Sequence, residues 1–461
     1  MKSTVVVWMC LAPLPACAAV VRGRVADSAT GEALARVEVR LSGTAYRAES
    51  GPDGRFSLGD VAPGEYQFQA STVGYRTVRE PLSLDDSGER VMEISLVPET
   101  LRRSEQVQVS AGPFPETAPL AEGLAGNELR NLASVLADDP MRAVQGLPGV
   151  TTSGDFQSQF AVRGAGFDRV GLYLDGVLLH APFHSVRGDP NSASITMFNG
   201  DALDSVDLFL SAPPPRYADR TAGALDMRSR AGDRRKVSGH LSASASNVAG
   251  LAEGPVGKAG KGAWLVAARK SYLQYIINLT SDEPALAFGF TDVQARADYD
   301  LTPAWNVSLG AVQGGSGLDR TEARDQVGLN TIVTSDYRFT LVNLAARYAP
   351  GGSFLVTNRV AYLRERFRDE NRANLPLSGE AYGEWIWNAD GSAAAGGTLE
   401  FGSSVRRLRD DGFVYQLLSG GQFRRDLDRF AGTGWRSGGY LQQAWTLGRI
   451  HLAIVYHSEA P

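Results

Sequence analysis

The sequence predicts a mainly β protein: a small β-sandwich, then an α+β segment, then the first part of an antiparallel transmembrane β-barrel. Short alternating runs separated by turn residues predict the sandwich, and mixed helical and alternating patterns predict the α+β segment. Long runs with one apolar and one polar face predict the barrel. We expect an export signal at 1–19, the sandwich at 20–98, a linker at 99–123, the α+β segment at 124–230 and barrel strands at 231–461.

The composition gives no indication of nucleic-acid binding, because the formal net charge of the 461 residues is -5. After the first residues, no stretch approaches the about 18 consecutive apolar residues of a membrane-spanning helix. A closed barrel is the other structure that satisfies every backbone polar group in lipid. Any crossing of a membrane is therefore expected to use strands.

The first residues have the pattern of a cleaved export signal. Lys2 precedes an apolar stretch from Val5 to Leu14, and small residues follow up to Ala19. We expect cleavage after Ala18 or Ala19, which would leave a mature chain without Cys10 and Cys17 and hence without disulfides. Lipidation of Cys17 is the alternative, for which the preceding Pro15 is a poor match.

Residues 20–98 contain short strands separated by recognisable turns. Asp53-Gly54 and Pro63-Gly64 supply hairpin turns. The strands are expected at Val37–Leu41, Arg55–Leu58, Tyr66–Ala70 and Val91–Leu96.

The same region resembles the carboxypeptidase regulatory-like domain. The resemblance is carried by Gly23-Arg24-Val25, Thr30-Gly31-Glu32-Ala33-Leu34, Pro52-Asp53-Gly54-Arg55-Phe56, Pro63-Gly64-Glu65-Tyr66 and Gly74-Tyr75. It implies a transthyretin-like, Ig-like sandwich without a peptidase site, of the kind that precedes the plug in many outer-membrane receptors.

A short alternating segment lies in the linker, which is otherwise rich in Pro, Glu and Ser. It consists of Glu105, Gln106, Val107, Gln108 and Val109, and it resembles a TonB box. An extended peptide of this kind can add a strand to an exposed sheet edge of a partner, here the periplasmic domain of TonB. The alternative is one more strand of the sandwich or the α+β segment.

Residues 124–230 combine short helices with strands. Helical spacing over Leu129–Leu136 predicts one helix, and Asp139-Pro140 predicts the N-cap and first turn of another that ends near Gly146. A short helix is expected around Asn199–Leu203. Strands are expected at Phe160–Gly164, Val170–Val177 and Ser205–Leu210.

This segment resembles the plug domain of TonB-dependent receptors. The matching features are the exit Leu147-Pro148-Gly149-Val150, the Arg163-Gly164 strand, the Asp175-Gly176 turn, the strand from Asp204 to Asp207, and the later strings Pro214–Tyr217 and Ala222–Met227. Ser211-Ala212 and Ala218-Asp219 depart from the family pattern. Within a plug, Arg163 is expected to pair with acidic groups on a polar barrel wall, as the resemblance implies.

His180 and His184 are spaced as zinc ligands on a helix would be, but Pro182 lies between them and no glutamate follows His180. We therefore expect a loop at the apex of the plug, with both histidines as candidates for ligand binding and no metal. The sequence offers no pair of nucleophile and base, so we expect no catalytic residues, no cofactor and no enzyme activity.

The last region alternates strictly. Asp292, Gln294, Arg296 and Asp298 interleave with Val293, Ala295, Ala297 and Tyr299, which predicts a polar lumen and a lipid-facing outer side. Connections alternate between tight turns near Thr302 and Gly351 and long loops over 314–331 and 369–383. We count roughly ten strands, whereas plugged transporters have about 22. A fragment of a longer receptor is the preferred explanation, with a truncated gene as the alternative.

Together these features predict a TonB-dependent outer-membrane receptor that imports a scarce extracellular ligand by TonB-driven movement of the plug. The expected partners are the TonB periplasmic domain, outer-membrane lipid and an unidentified ligand, which could be a siderophore, cobalamin, a glycan or a peptide. The alternatives are a TonB-linked signalling receptor and a surface adhesion or glycan-binding protein made only of sandwiches.

Overall fold

The structure is a computed structural model that separates the chain into two compact units, Met1–Arg103 and Ser104–Pro461. It describes residues 19–27, 33–42, 44, 46–72, 75, 78–84, 89–96, 121–125, 139–152, 158–185, 193–210, 213–217, 220–244, 247–257, 260–272, 287–321, 325, 327–351, 354–395, 397–418, 421–447 and 450–460. The predicted export signal up to Ala18, the segment Glu105–Val109 and the helix at Leu129–Leu136 lie outside these residues.

The first unit is the expected β-sandwich. A three-stranded sheet has the order β4-β1-β7, with β1 parallel to β7, and a four-stranded sheet has the order β3-β2-β5-β6. The seven strands are β1 (Ala19–Asp27), β2 (Glu38–Leu41), β3 (Arg47–Glu49), β4 (Arg55–Val61), β5 (Gly64–Ser71), β6 (Val78–Leu84) and β7 (Glu89–Leu96). Alternate side chains of both sheets form one apolar core, which includes Val21, Val25, Leu41, Phe56 and Phe68.

The predicted turn at Asp53-Gly54 is confirmed. Gly54 has a φ of 75°, and a Cβ atom at this position would lie 2.4 Å from the carbonyl oxygen of Val25. Glycine is required here both by the backbone conformation and by the close approach of β1.

The α+β segment forms a five-stranded mixed sheet with the order β12-β11-β16-β15-β8, in which β11 and β16 run parallel. Two separate hairpins, β9 with β10 and β13 with β14, accompany it. The elements are β8 (Ala121–Ala125), α1 (Pro140–Gln145), β9 (Val150–Thr152), β10 (Phe160–Val162), β11 (Val170–Leu174), β12 (Val177–Leu178), β13 (Phe183–Ser185), β14 (Ala193–Thr196), β15 (Leu203–Phe209) and β16 (Gly223–Ser229). We call this segment the plug.

Helix α1 begins as the sequence predicts. The side chain of Asp139 accepts a hydrogen bond from the backbone nitrogen of Met141, Pro140 occupies the first turn, and Gly146 follows the last residue. The short helix expected around Asn199–Leu203 is a single 3-10 turn at Gly200–Ala202, capped by the side chain of Asn199.

The last region forms one antiparallel sheet in which sequence neighbours pair throughout, and we call it the wall. The described residues contain eleven wall strands where about ten were expected. They are β17 (Ser238–Ala243), β18 (Asn247–Val256), β19 (Gly262–Ser271), β20 (Ala287–Thr302), β21 (Trp305–Asp319), β22 (Thr334–Gly351), β23 (Phe354–Glu370), β24 (Pro376–Ala394), β25 (Thr398–Leu418), β26 (Phe423–Leu447) and β27 (Ile450–Ala460).

The predicted faces of the wall are confirmed. Asp292 and Asp298 of β20 are buried on the side of the plug, whereas Val293 between them is 40% exposed on the other side. Wall residues such as Phe339 and Leu363 also join plug residues in the largest apolar core. The inward face is therefore polar in part and apolar where the plug packs against it.

Among the described residues, no helix is both long enough and apolar enough to cross a membrane.

The expectation of a long loop over 369–383 is wrong. Strand β23 extends to Glu370 and strand β24 begins at Pro376, so the connection is short. The side chain of Asn371 closes the short connection by accepting hydrogen bonds from the backbone nitrogens of Ala373 and Leu375, both at 2.9 Å. Asn374 adopts a φ of 56° in the same turn. An asparagine that mimics a backbone turn thus replaces a long loop.

Candidate functional site

Arg163 and Gly164 form a two-residue turn and not the end of a strand. Their φ values are 49° and 81°, and the backbone groups of Val162 and Ala165 bond to each other across the turn. The Arg163 side chain is exposed and forms no ion pair with a residue that the structure describes. The expected pairing with an acidic wall group is thus not present among those residues, because the turn places the side chain in solvent.

Asp175 and Gly176 also form a two-residue turn, between β11 and β12, with φ values of 48° and 78°. The carboxylate of Asp175 accepts hydrogen bonds from the nitrogen and hydroxyl of Ser229, at 2.9 and 2.6 Å. Nη1 of Arg296 on β20 lies 3.3 Å from the same carboxylate. This turn therefore joins two plug strands to the wall.

Gly176 lies against the wall. Its carbonyl accepts a hydrogen bond from Asn388 of β24 at 3.1 Å, and a Cβ atom would lie 3.1 Å from Cζ of Arg359 on β23. The positive φ of 78° favours glycine here, and a larger residue would also require the Arg359 side chain to shift.

His184 is buried between the plug and the wall. Its Nε2 lies 2.7 Å from Oδ1 of Asp292, and its ring stacks on Phe290 with 4.7 Å between the centroids. Arg269 of β19 donates from Nε and Nη2 to the other oxygen of Asp292, at 3.0 and 2.7 Å. The side chains of His184, Asp292 and Arg269 are at most 1% exposed, so this contact is closed to water.

The buried contact continues to helix α1. Nη2 of Arg269 donates to the carbonyl oxygen of Thr196 on β14. The nitrogen and hydroxyl of Thr196 donate to the carboxylate of Asp139, at 3.1 and 2.8 Å, and Ser158 donates to the same group at 2.6 Å. One network of hydrogen bonds therefore connects the helix cap, the β13–β14 hairpin and the wall.

His180 has a different environment, although it is only four residues away. Its side chain is 49% exposed, its Nδ1 lies 3.1 Å from Oε2 of Glu365 on β23, and its ring stacks on Tyr382 at 4.8 Å. The backbone nitrogen of Ala181 donates to the other oxygen of Glu365 at 3.0 Å, and the Tyr337 hydroxyl donates to the Ala181 carbonyl at 2.6 Å.

The hydrogen bond with Glu365 raises the pKa of His180 above its ordinary value, against the opposing effect of burial. The structure therefore does not bring His180 and His184 together: His180 lies at an accessible surface, whereas His184 is sealed inside. Of the two, only His180 is placed to touch a ligand directly in this conformation.

Sequence reasoning identified the polar face of β20 but missed the wall residues that hold the plug. Arg269, Asn388 and Glu365 lie at inward positions of alternating strands, and a charged or amide residue at such a position was the available signal. Which plug residue each one meets depends on the packing of distant strands and has no local sequence pattern.

Two family models match the chain. The carboxypeptidase regulatory-like domain matches residues 20–97, and the TonB-dependent receptor plug domain matches residues 130–225. No curated protein sequence matches the chain.

Solved receptors share the fold at low sequence identity. The siderophore receptor PirA from Acinetobacter baumannii is similar with a TM-score of 0.54 and 12% identity, covering 74% of this chain and 56% of that one. FpvA of P. aeruginosa, bound to pyoverdines, is similar with a TM-score of 0.54 and 12% identity, covering 75% of this chain and 52% of that one. The alcaligin outer-membrane receptor FauA from Bordetella pertussis is similar with a TM-score of 0.52 and 13% identity, covering 75% of this chain and 56% of that one. The chain thus spans about half the length of these receptors.

Within the second unit, the plug packs on the inner face of the antiparallel wall. The chain therefore contains a carboxypeptidase regulatory-like domain and a TonB-dependent receptor plug domain, and it is similar in fold to these solved receptors.

Proposed function

We propose that this chain forms part of an outer-membrane importer whose plug is moved by TonB. The observation that carries the proposal is the two-sided wall. Its outward side chains include the exposed Val293, Leu309, Val360, Trp385 and Trp387, which suit lipid, whereas its inward polar groups hold the plug.

The inward contacts suit a plug that moves. Asp175 and Arg296 are each about a fifth exposed and His180 is 49% exposed, so these side chains can exchange a partner for water, whereas Glu365 is only 6% exposed. The contact of His184 with Asp292 is more costly to separate, because both side chains are at most 1% exposed and a lost hydrogen bond is not replaced by water there. An external force, such as a pull by TonB, would supply this energy.

The segment Glu105–Val109 is the proposed capture site for TonB, and the accessible side of His180 is the proposed place of ligand contact. The chemistry of the ligand stays open between siderophore, cobalamin, glycan and peptide. An adhesion protein made only of sandwiches is not favoured, because the plug domain and its wall form most of the chain.

Two measurements test the proposal. The protein should be recovered with the outer membrane after fractionation, and a photo-crosslinking residue at position 107 should capture the periplasmic domain of TonB. A matched crosslinking residue at Arg163, which is exposed on the plug, is the control and should give little product. Recovery in the periplasm, or equal crosslinking from both positions, would contradict the proposal.

A further inference from the structure

The outward face of β23 changes from apolar to basic along its length. Its alternate residues Leu363 and Glu365 point toward the plug, so the even-numbered residues point away from it. In chain order, the outward residues are Phe354, Val356, Asn358, Val360, Tyr362, Arg364, Arg366 and Arg368.

The change falls at the depth where a membrane would end. A tilted strand crosses the hydrocarbon region with about 9–11 residues. From Phe354, which follows the short turn after β22, to Tyr362 the strand has this length. Arg364 and Arg366 therefore lie just beyond the apolar band, on the side of the longer connections, which face the exterior in outer-membrane barrels.

Other arginines surround these two on the same face. Arg366 lies directly opposite Arg338 of β22, and Arg364 lies opposite Gly383 of β24, which in turn is opposite Arg409 of β25. We call Arg338, Arg364, Arg366 and Arg409 the arginine cluster. Like charges directly opposite each other destabilise a sheet unless an anion or solvent compensates them.

Two members of the cluster have no acidic partner among the described residues. Arg338 and Arg409 pair with Asp336 and Asp411, at 3.0 and 3.3 Å. Arg364 and Arg366 are exposed and form no ion pair with any residue in the described part of the chain. Their guanidinium groups are thus available to an external anion.

The strand between the arginines has almost no side chains at this level. Gly379, Ala381 and Gly383 are its outward residues, and a Cβ atom on Gly383 would find only the Tyr362 hydroxyl within 4 Å, at 3.7 Å. Strands two positions apart are separated by about 10 Å, so the arginines of β23 and β25 border a shallow groove.

The groove continues onto an apolar surface. Tyr362 and Trp385 lie at its foot, with ring centroids 4.7 Å apart, and Trp385 is 57% exposed. Arg407 next to them lies over the ring of Trp435 at 5.5 Å. A ligand that fits this surface has an anionic head and an apolar body.

We propose that the arginine cluster binds the phosphorylated headgroup of a membrane lipid, whose acyl chains lie along Tyr362 and Trp385. The planar guanidinium fork of arginine matches phosphate oxygens in pairs. A free phosphate ion would make no use of the adjoining apolar surface. The inference rests on the membrane location given under Proposed function.

Lipid binding to the purified protein in dodecyl maltoside micelles tests this site. Native mass spectrometry compares three probes: dioleoyl phosphatidic acid, dioleoyl phosphatidylcholine and inorganic phosphate. We expect phosphatidic acid to be retained well above phosphatidylcholine, and inorganic phosphate at the same concentration not to displace it. Equal retention of both lipids, or displacement by inorganic phosphate, would overturn the proposal.

The double variant Arg364→Gln/Arg366→Gln should weaken phosphatidic acid binding about 10- to 30-fold. Arg47→Gln/Arg55→Gln removes the same charge from exposed positions of the sandwich and should leave binding unchanged. Arg364→Lys/Arg366→Lys keeps the charge but not the guanidinium fork, so its affinity should lie between those of the wild type and the glutamine variant. Equal affinity of the glutamine variant and wild type would place the lipid elsewhere.

The outcome is separable from that of the proposed function. Loss of lipid selectivity with normal recovery in the outer membrane overturns the lipid site alone. Failure of the protein to reach the outer membrane overturns the proposed importer and, with it, the basis of the lipid site.

Discussion

Nε2 of His184 on the plug lies 2.7 Å from Oδ1 of Asp292 on the wall, and both side chains are at most 1% exposed. Arg269 binds the second oxygen of the same carboxylate from the neighbouring wall strand. The carboxylate thus has its cationic partner within the wall and its second partner on the plug. Loss of Arg269 and loss of His184 should therefore lower the free energy of unfolding by different amounts.

Arg269→Gln should lower the free energy of unfolding by about 3–5 kcal/mol, because it leaves a buried carboxylate without a cation. His184→Ala should cost about 1–3 kcal/mol, because Asp292 keeps Arg269. Urea titration in detergent, followed by protease resistance of the plug, measures both. Arg368→Gln, at a 60% exposed position paired with Glu370, is the control and should change little. Equal losses for Arg269 and His184 would contradict this division of roles.

His180 should titrate above its ordinary value of 6.5, because its hydrogen bond with Glu365 raises its pKa. The contact contributes its full stability below about 6.5 and loses it as the pH rises through the higher pKa of the folded state. Histidine NMR resolves the titration, since the chain has five histidines. Glu365→Gln should move the midpoint down toward 6.5, and His180→Gln assigns the signal. If the titration midpoint of His180 is unchanged in Glu365→Gln, the hydrogen bond between His180 and Glu365 does not form.

Asp226 of β16 should make the plug less stable as the pH rises from about 4 to 6. Burial raises the pKa of Asp226 from 3.8 to about 6 against the opposing effect of Arg216, and Asp207 on the adjacent strand acts in the same direction as burial. In this window the unfolded chain ionises while the folded plug keeps the proton, so unfolding gains up to about 3 kcal/mol.

Asp226→Asn should flatten this part of the pH profile, as measured by the urea midpoint at pH 4, 5, 6 and 7. The control is Asp336→Asn, at a position with 57% side-chain exposure, which should leave the slope in place. A slope that persists unchanged in Asp226→Asn would assign it to another group.

Val107→Pro should abolish capture of TonB while leaving ligand binding intact, because proline removes a backbone donor that strand addition needs. Gln108→Ala preserves the main chain and should be much milder. A pull-down of the TonB periplasmic domain by a peptide of residues 102–112 compares the three sequences. Equal retention of the wild-type and Val107→Pro peptides, or of neither, would mean that the segment is a simple linker.

The periodic features of the fold were predictable because they depend on local spacing. Asp292 and Val293 were assigned to opposite faces since side chains alternate along a strand. Asp139 was recognised as a helix cap for the same local reason, but its bonds to Thr196 and Ser158 were not, because these residues come from other elements. Local pattern gives the face of a residue and not its partner.

The differences between the expected and the observed positions have physical causes of the same kind. Arg163 belongs to an alternating run, yet a positive φ turns the chain before it can pair with the wall. Polar residues after Asp369 suggested a long loop, but the side chain of Asn371 closes the turn within five residues. His180 and His184 are close in sequence but separate in space, since β13 begins at Phe183 and carries only the second into the interior.

The contacts that fix the plug also determine when it can be completed during folding. The partners are separated by 73 residues for Arg269 with Thr196, 108 for His184 with Asp292, 185 for His180 with Glu365 and 212 for Gly176 with Asn388. Contacts between distant residues form late, because closing the intervening chain costs entropy before any contact repays it. The hairpin β13–β14 and Asp175 can therefore dock as soon as β19 and β20 pair, whereas the contacts of Gly176 and His180 must wait for β23 and β24. Until then the Gly176 carbonyl and the His180 loop lack their hydrogen-bond partners on the wall. A chaperone that protects this intermediate would have to cover these two parts of the plug.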